Sequence, residues 1–221
     1  MTAPFDRDHG DYSTREDGMS KNHSPLSQLR LAVMISGRGS NLEALLKAFT
    51  DDKTIRIVTV ISNDPKAQGL RIAADHGVEA RVIDHHQFAS RIEFDSAVDE
   101  FLIQNRIDLI CLAGFMRILS DEFVARWSGK MINIHPSLLP SYRGLNTHER
   151  VLAAGESFTG CTVHFVAPEV DSGEIILQVK VPVLAEDSPE TLAARVLSAE
   201  HRLYPQAVRL IAQQKLPGYK G

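Results

Sequence analysis

Leu31-Ala32-Val33-Met34-Ile35, followed at once by Ser36-Gly37-Arg38-Gly39-Ser40 and then by Asn41-Leu42-Glu43-Ala44-Leu45-Leu46, decides the fold. Five apolar residues in a row predict a strand buried on both faces, as the strands of parallel sheets are. The small residues behind it predict a turn. Leu42, Leu45, Leu46 and Phe49 then recur at helical spacing. Strand, turn and helix in that order make the opening half of a crossover unit.

The same alternation runs outward along the chain. Residues 55–61 read as a β-branched strand, 69–76 as a short helix and 80–83 as a further strand. A longer helix is expected over 91–105, with Ile92, Val98 and Leu102 on its inner face and Phe101 off that face. Residues 109–113 form another buried strand, 121–127 a helix, and Met131–His135 a strand that stops at Pro136. Asn146, with Glu149 three residues on, reads as a capping box opening a helix. Residues 160–166 and 175–181 read as two strands joined through a turn at Asp171-Ser172-Gly173. Ser188-Pro189-Glu190 combines a cap, a first-turn proline and an acid near the positive helix end, and that helix extends to about Gln214. The fold class is therefore α/β: a mainly parallel sheet with helices on both faces and an antiparallel edge. Ligands in such sheets bind beyond the carboxyl ends of the strands, which directs attention to the turns after Ile35, Ala113 and His135.

The chain of 221 residues is long enough for one well-cored domain, assigned to 29–215. Residues 1–28, polar and without periodicity, are expected to form a disordered tail, and 216–221 a short C-terminal tail. A net charge of -4 argues against a general nucleic-acid binder. Cys111 and Cys161 lie in apolar stretches outside any CxxC pair, so buried thiols are expected rather than a disulfide or zinc site. No apolar run is long enough for a membrane span and no signal-peptide pattern opens the chain, so a cytoplasmic protein is expected.

Three places carry candidate chemistry. The turn at 36–40 brings backbone N–H groups and a helix start together, which suits a phosphate and equally suits a plain tight turn with an Asn or Ser cap. It is neither a Walker loop nor a full dinucleotide fingerprint, since Leu42 stands where the third glycine would be. In Met131–His135 the alternation of a strand puts Asn133 and His135 on the face opposite Ile132 and Ile134. Such a pair can stabilise an oxyanion and move protons, or can be a satisfied polar pair in the core. Asp171 fits turn chemistry; if it lay beside His135 it would favour the cationic imidazole. His85, His86, His148, His164 and His201 show no metal spacing and are read as surface or capping residues.

Asn133-Ile134-His135-Pro136-Ser137-Leu138-Leu139-Pro140 resembles the signature of the folate-dependent formyltransferases. The stretches 35–41 and 112–119 are similar to the substrate-phosphate loop and the folate loop of the branch that formylates glycinamide ribonucleotide. The stretches 144–148, 164–166 and 178–183, with Glu200-His201 and Tyr204-Pro205, also match, so the resemblance covers about 30–213. It implies a three-layer Rossmann-like formyltransferase fold. It also implies transfer of the formyl group of 10-formyltetrahydrofolate to the amine of glycinamide ribonucleotide in purine synthesis, without a metal. Under that resemblance Asn133, protonated His135 and Asp171 are catalytic, with Asp171 holding His135 charged. Gly39, Ser40, Asn41 and Glu200 bind the ribonucleotide. Arg91, Met116, Arg117, Ile118 and Leu119 contact folate, together with Asn133, Ala167, Pro168, Glu169, Val170 and Asp171. A cis bond at Leu139-Pro140 and a monomer or homodimer are implied as well.

Alternatives sharing the signature are formyltetrahydrofolate hydrolase, methionyl-tRNA formyltransferase and a sugar-formylating enzyme. A non-catalytic folate- or nucleotide-binding protein is a further class. The hydrolase and the tRNA enzyme are disfavoured by the domains they are expected to add.

Overall fold

A computed structural model describes residues 28–213 of the chain. The expected tails, 1–28 and 216–221, lie outside the described residues apart from Gln28. One seven-stranded sheet runs through the molecule: β1 (Leu29–Ile35), β2 (Ile55–Ser62), β3 (Glu79–Val82), β4 (Leu109–Leu112), β5 (Met131–His135), β6 (Phe158–Phe165) and β7 (Ile175–Pro182). The order across it is β3-β2-β1-β4-β5-β6-β7. Strands β1 to β5 pair in parallel; β6 pairs antiparallel with both β5 and β7. The reversal thus falls on β6, and the edge strand β7 again runs with the majority.

Six helices connect and cover the sheet: α1 (Ser40–Phe49), α2 (Gly69–Asp75), α3 (Arg91–Gln104), α4 (Asp121–Arg126), α5 (Thr147–Ala153) and α6 (Pro189–Ala212). Two hydrophobic cores result, one on each face. The first joins Leu31, Val33 and Ile35 of β1 to α1 and to Leu192, Val196, Tyr204 and Val208 of α6. The second joins Ala32 and Met34 to Phe94, Val98 and Leu102 of α3 and to Phe123 and Trp127 around α4. Alternate residues of β1 feed opposite cores, which is why its sequence is apolar without a gap.

Two local expectations need correction. The inner face of α3 is Phe94, Asp95, Val98 and Leu102, while Ile92 is 59% exposed. A carboxylate occupies an inward position there, so hydrophobicity alone misplaces the phase of the helix. Asn146 does precede α5, but with φ 55° in the left-handed region and no side-chain cap bond, so no capping box forms. The box occurs instead at α6, where Ser188 and Thr191 bond reciprocally across the first turn and Pro189 follows the cap. Both cysteines are buried and free, their thiols pushed up to about 12 by burial. Leu139-Pro140 is cis.

Candidate active site

The sheet order changes direction between β1 and β4, so the turns leaving these two strands part and open a crevice. Ser36 ties the two turns together. Its N–H donates to the Gly114 carbonyl at 3.1 Å, and its Oγ donates to Asn63 Oδ1 at 2.5 Å while accepting the Met116 N–H at 2.7 Å. Gly39 lies at φ 79° directly before α1, and a Cβ there would come within 2.6 Å of the Gly69 backbone. Glycine is therefore required both by conformation and by this close approach. No side chain caps α1, which leaves the N–H groups of its first turn directed at the crevice.

Further along, β5 and β6 present one polar face. Asn133 pairs with His164 and His135 with Thr162 across the antiparallel ladder, and such opposed residues point to the same side. The connection after β6 starts beside Met131, whose carbonyl accepts the Val166 N–H at 2.9 Å, and returns over this face. Gly173 permits the return, because a Cβ there would strike the Phe165 carbonyl. Asp171 then meets both histidines: Oδ2 lies 3.3 Å from His135 Nδ1, and Oδ1 lies 3.6 Å from His164 Nε2. The Gly144 N–H donates to Asp171 Oδ2 at 2.8 Å.

Hydrogen bonding assigns the protons. His135 Nε2 is 2.9 Å from the Tyr142 carbonyl, which can only accept, so Nε2 carries hydrogen. His164 Nδ1 is 2.8 Å from the Phe165 carbonyl and is protonated for the same reason. Its Nε2 then accepts from Asn133 Nδ2 at 3.2 Å, leaving the second amide hydrogen of Asn133 free for another acceptor. Burial, which would raise the Asp171 pKa, is outweighed by His164, the Gly144 N–H and the charge of His135, and the carboxyl stays below its usual range. Burial lowers the His135 pKa, and the Tyr142 carbonyl and Asp171 only partly restore it. Burial thus opposes the His135 cation, while the Asp171 carboxylate beside Nδ1 and the Tyr142 carbonyl at Nε2 favour it.

The expectation that His164 is a surface or capping residue is corrected: it is 2% exposed, bonds Asn133 and lies 3.6 Å from Asp171. The signal was present in β6, where Thr162 and His164 alternate with Val163 and Phe165 as Asn133 and His135 alternate with Ile134 in β5. His148 also enters the site. It lines the crevice half-buried, its pKa lowered by burial and by His135.

All these groups wall one cleft of about 1290 Å³. Gly39, Ser40, Asn41 and Glu200 line it, as do Met116, Arg117, Ile118, Leu119, Ala167, Pro168, Val170 and the three residues Asn133, His135 and Asp171. At the α1 end, Asn41 Nδ2 donates to Glu200 Oε2 at 2.7 Å, and burial raises the Glu200 pKa despite that bond. At the other end the exposed side chains of Met116, Ile118, Leu145 and Val170 make an apolar rim. Two predicted folate residues stand off the wall. Arg91 is exposed at the start of α3, and Glu169 is tied to Arg143 at 3.0 Å. Arg38 is exposed but lies on the cleft wall beside the α1 terminus. Among the described residues, Asp84, His85 and His86 are close enough to share a metal ion, but they lie outside this cleft. Among the described residues no helix is long and apolar enough to cross a membrane.

Comparison with known proteins places relatives beside this geometry. The formyl transferase family matches residues 29–208. The trifunctional purine biosynthetic protein adenosine-3 of Bos taurus is 51% identical over 90% of this chain, which spans only 20% of that protein's length. Phosphoribosylglycinamide formyltransferase of Escherichia coli is 42% identical over 85% of this chain and 89% of its own. The crystal structure of phosphoribosylglycinamide formyltransferase from Anaplasma phagocytophilum is 50% identical, with a TM-score of 0.80 over 86% of this chain and 90% of that one.

Proposed function

The chain belongs to the formyl transferase family, and from that premise we propose that it moves the formyl group of 10-formyltetrahydrofolate to the amine of glycinamide ribonucleotide, as a step of purine synthesis in the cytoplasm. The observation that carries the reading is the cluster of Asn133, His135 and Asp171 midway along a cleft whose ends differ. One end offers uncapped helix N–H groups, suited to a phosphate; the other offers an apolar rim, suited to a pterin and its ring.

The reaction needs no covalent enzyme intermediate. The ribonucleotide amine attacks the formyl carbon, the new C–N bond forms, and the formyl oxygen becomes an oxyanion. The free amide hydrogen of Asn133 and the Nε2–H of His135 supply two donors to that oxygen, which takes the place of the Tyr142 carbonyl as the acceptor of His135. Collapse breaks the bond from carbon to the folate nitrogen. One proton leaves the amine and one arrives at the folate nitrogen, so the overall exchange is balanced. The Asp171 carboxylate beside Nδ1 stabilises the His135 cation, which suits His135 to pass a proton from Nε2 to the departing folate nitrogen. His164 Nε2 orients the Asn133 amide.

An absorbance assay with 10-formyltetrahydrofolate, with and without glycinamide ribonucleotide, tests the reading. Loss of the donor only when the ribonucleotide is present is expected. Loss without it would identify a hydrolase, and no loss in either case would remove this activity.

A further inference from the structure

Asp95 belongs to no part of the site described so far. It projects from α3 into the second hydrophobic core and is 3% exposed. Its Oδ2 accepts the Ser120 N–H at 2.6 Å, a buried bond between residues 25 apart in sequence. Its Oδ1 has no hydrogen-bond partner among the described residues. A carboxylate inside an apolar core with half its acceptors unused costs stability and is poorly explained by packing.

Ser120 closes the segment 113–120, the wall of the cleft on the apolar side. Its other attachments are already known: the Ala113 N–H donates to the Met34 carbonyl at 2.9 Å, and the Met116 N–H donates to Ser36 Oγ. Beyond Met116, Leu119 is buried in the second core and Ser120 caps α4, Ile118 is exposed, and Arg117 stacks on Phe94, which precedes Asp95 in sequence, at 5.1 Å. Arg117 Nε is itself buried without an acceptor among the described residues. The segment thus carries an orphaned donor over Phe94, and the next residue of α3 carries an orphaned acceptor. Among the described residues no ion pair joins them.

We propose that Asp95 is a positioning residue for the folate side of the cleft: it fixes the far end of the 113–120 wall through Ser120 and holds an open acceptor for Arg117 as that wall settles on the co-substrate. The inference rests on the functional reading above. It assigns α3 the task of setting affinity at the folate end of the cleft, because Asp95 acts at Ser120, farther along the wall than the Gly114 and Met116 ties to Ser36.

The test uses the full chain carrying Asp95→Ala and Asp95→Asn, each checked for folding by circular dichroism. Binding of a non-reactive dideaza folate analogue and of glycinamide ribonucleotide is measured separately by titration calorimetry. The expected order of folate Kd is wild type, then Asp95→Asn, which keeps an oxygen for the Ser120 N–H but loses the charge, then Asp95→Ala, weakened at least tenfold. The ribonucleotide Kd should stay within twofold throughout. Equal weakening of both ligands, or unchanged folate binding in either folded variant, would overturn the positioning role while leaving the proposed reaction intact. If Asp95→Ala does not fold, Asp95→Asn decides alone: severalfold weaker folate with unchanged ribonucleotide supports the role, and no difference overturns it. A wild-type chain that binds no folate analogue would overturn both.

Discussion

Glu200 lines the cleft with its carboxyl buried and its pKa above the ordinary value of 4.5. A group whose folded pKa is raised stabilises the fold below its unfolded pKa, and that contribution is lost as pH rises through the folded value. At neutral pH the residue therefore opposes folding. Glu200→Gln should raise the melting temperature at pH 7, with ~2–4 °C for each kcal/mol relieved, and should also raise the KM for the ribonucleotide. Calorimetry and steady-state kinetics on one preparation check both. His135 and Asp171 act with the opposite sign. Their folded pKa values are depressed, so stability falls as pH drops through 6.5 for the histidine and below 3.8 for the aspartate. Catalysis should show the same coupling. Replacing Asp171 with Asn removes a charge that raises the His135 pKa, so the limb of the pH–rate profile that reports His135 should move to lower pH. Turnover should fall ~10²-fold or more, the scale of a lost proton-transfer aid. A profile and rate matching wild type would exclude Asp171 from the role given to it.

At the scale of single elements, the sequence is readable where local chemistry acts alone and obscure where tertiary contacts decide. Strand β5 was legible because a period of two separates Asn133 and His135 from Ile134 with no help from the rest of the chain. Strand β6 obeys the same period, yet His164 escaped notice. Its meaning comes from Asn133 across the ladder and from Asp171 on a returning loop, and neither contact is written in the residues beside it. The meeting of Asp171 with His135 is implied by the family resemblance and not by the neighbouring residues, because a turn sequence fixes its own backbone but not what it folds back upon. In α3 the inward Asp95 broke the hydrophobic rule and shifted the apparent face. Asn146 fails differently: Ser/Thr/Asn/Asp before an acid three residues on describes a cap only if the backbone is extended, and here it is left-handed. This separates two substitutions. Threonine is an acceptable cap but a β-branched residue unsuited to positive φ, so Asn146→Thr should cost ~1–2 kcal/mol. Asn146→Gly should be tolerated within about 0.5 kcal/mol. Urea unfolding of the two variants distinguishes the geometries, and equal stability would contradict the left-handed assignment.

Across the whole molecule, the two ends of the cleft are built on different supports. The proposed phosphate end rests on α1 and α6 in one core, while Met116 and Ile118 of the apolar rim sit on a wall that packs through Phe115 and Leu119 on the other. Ligands filling the two ends should therefore stabilise the fold independently. Each, at one hundred times its Kd, adds about 2.7 kcal/mol, or about 5–10 °C for a chain of this size. Differential scanning with the ribonucleotide, the folate analogue and both together should give increments that sum. A shift with both ligands no larger than with one would mean that they compete for the same space.

The reversal at β6 has a wider bearing. It folds the stretch 133–171 back on itself, so that one continuous piece of chain supplies Asn133, His135, His164 and Asp171. The groups proposed to hold the acceptor come from distant segments, 36–41 and α6. Under the proposed function, bond-making and acceptor choice lie on separate lengths of sequence. Changes confined to the outer segments can redirect such a scaffold to a new amine while the inner one passes through unaltered.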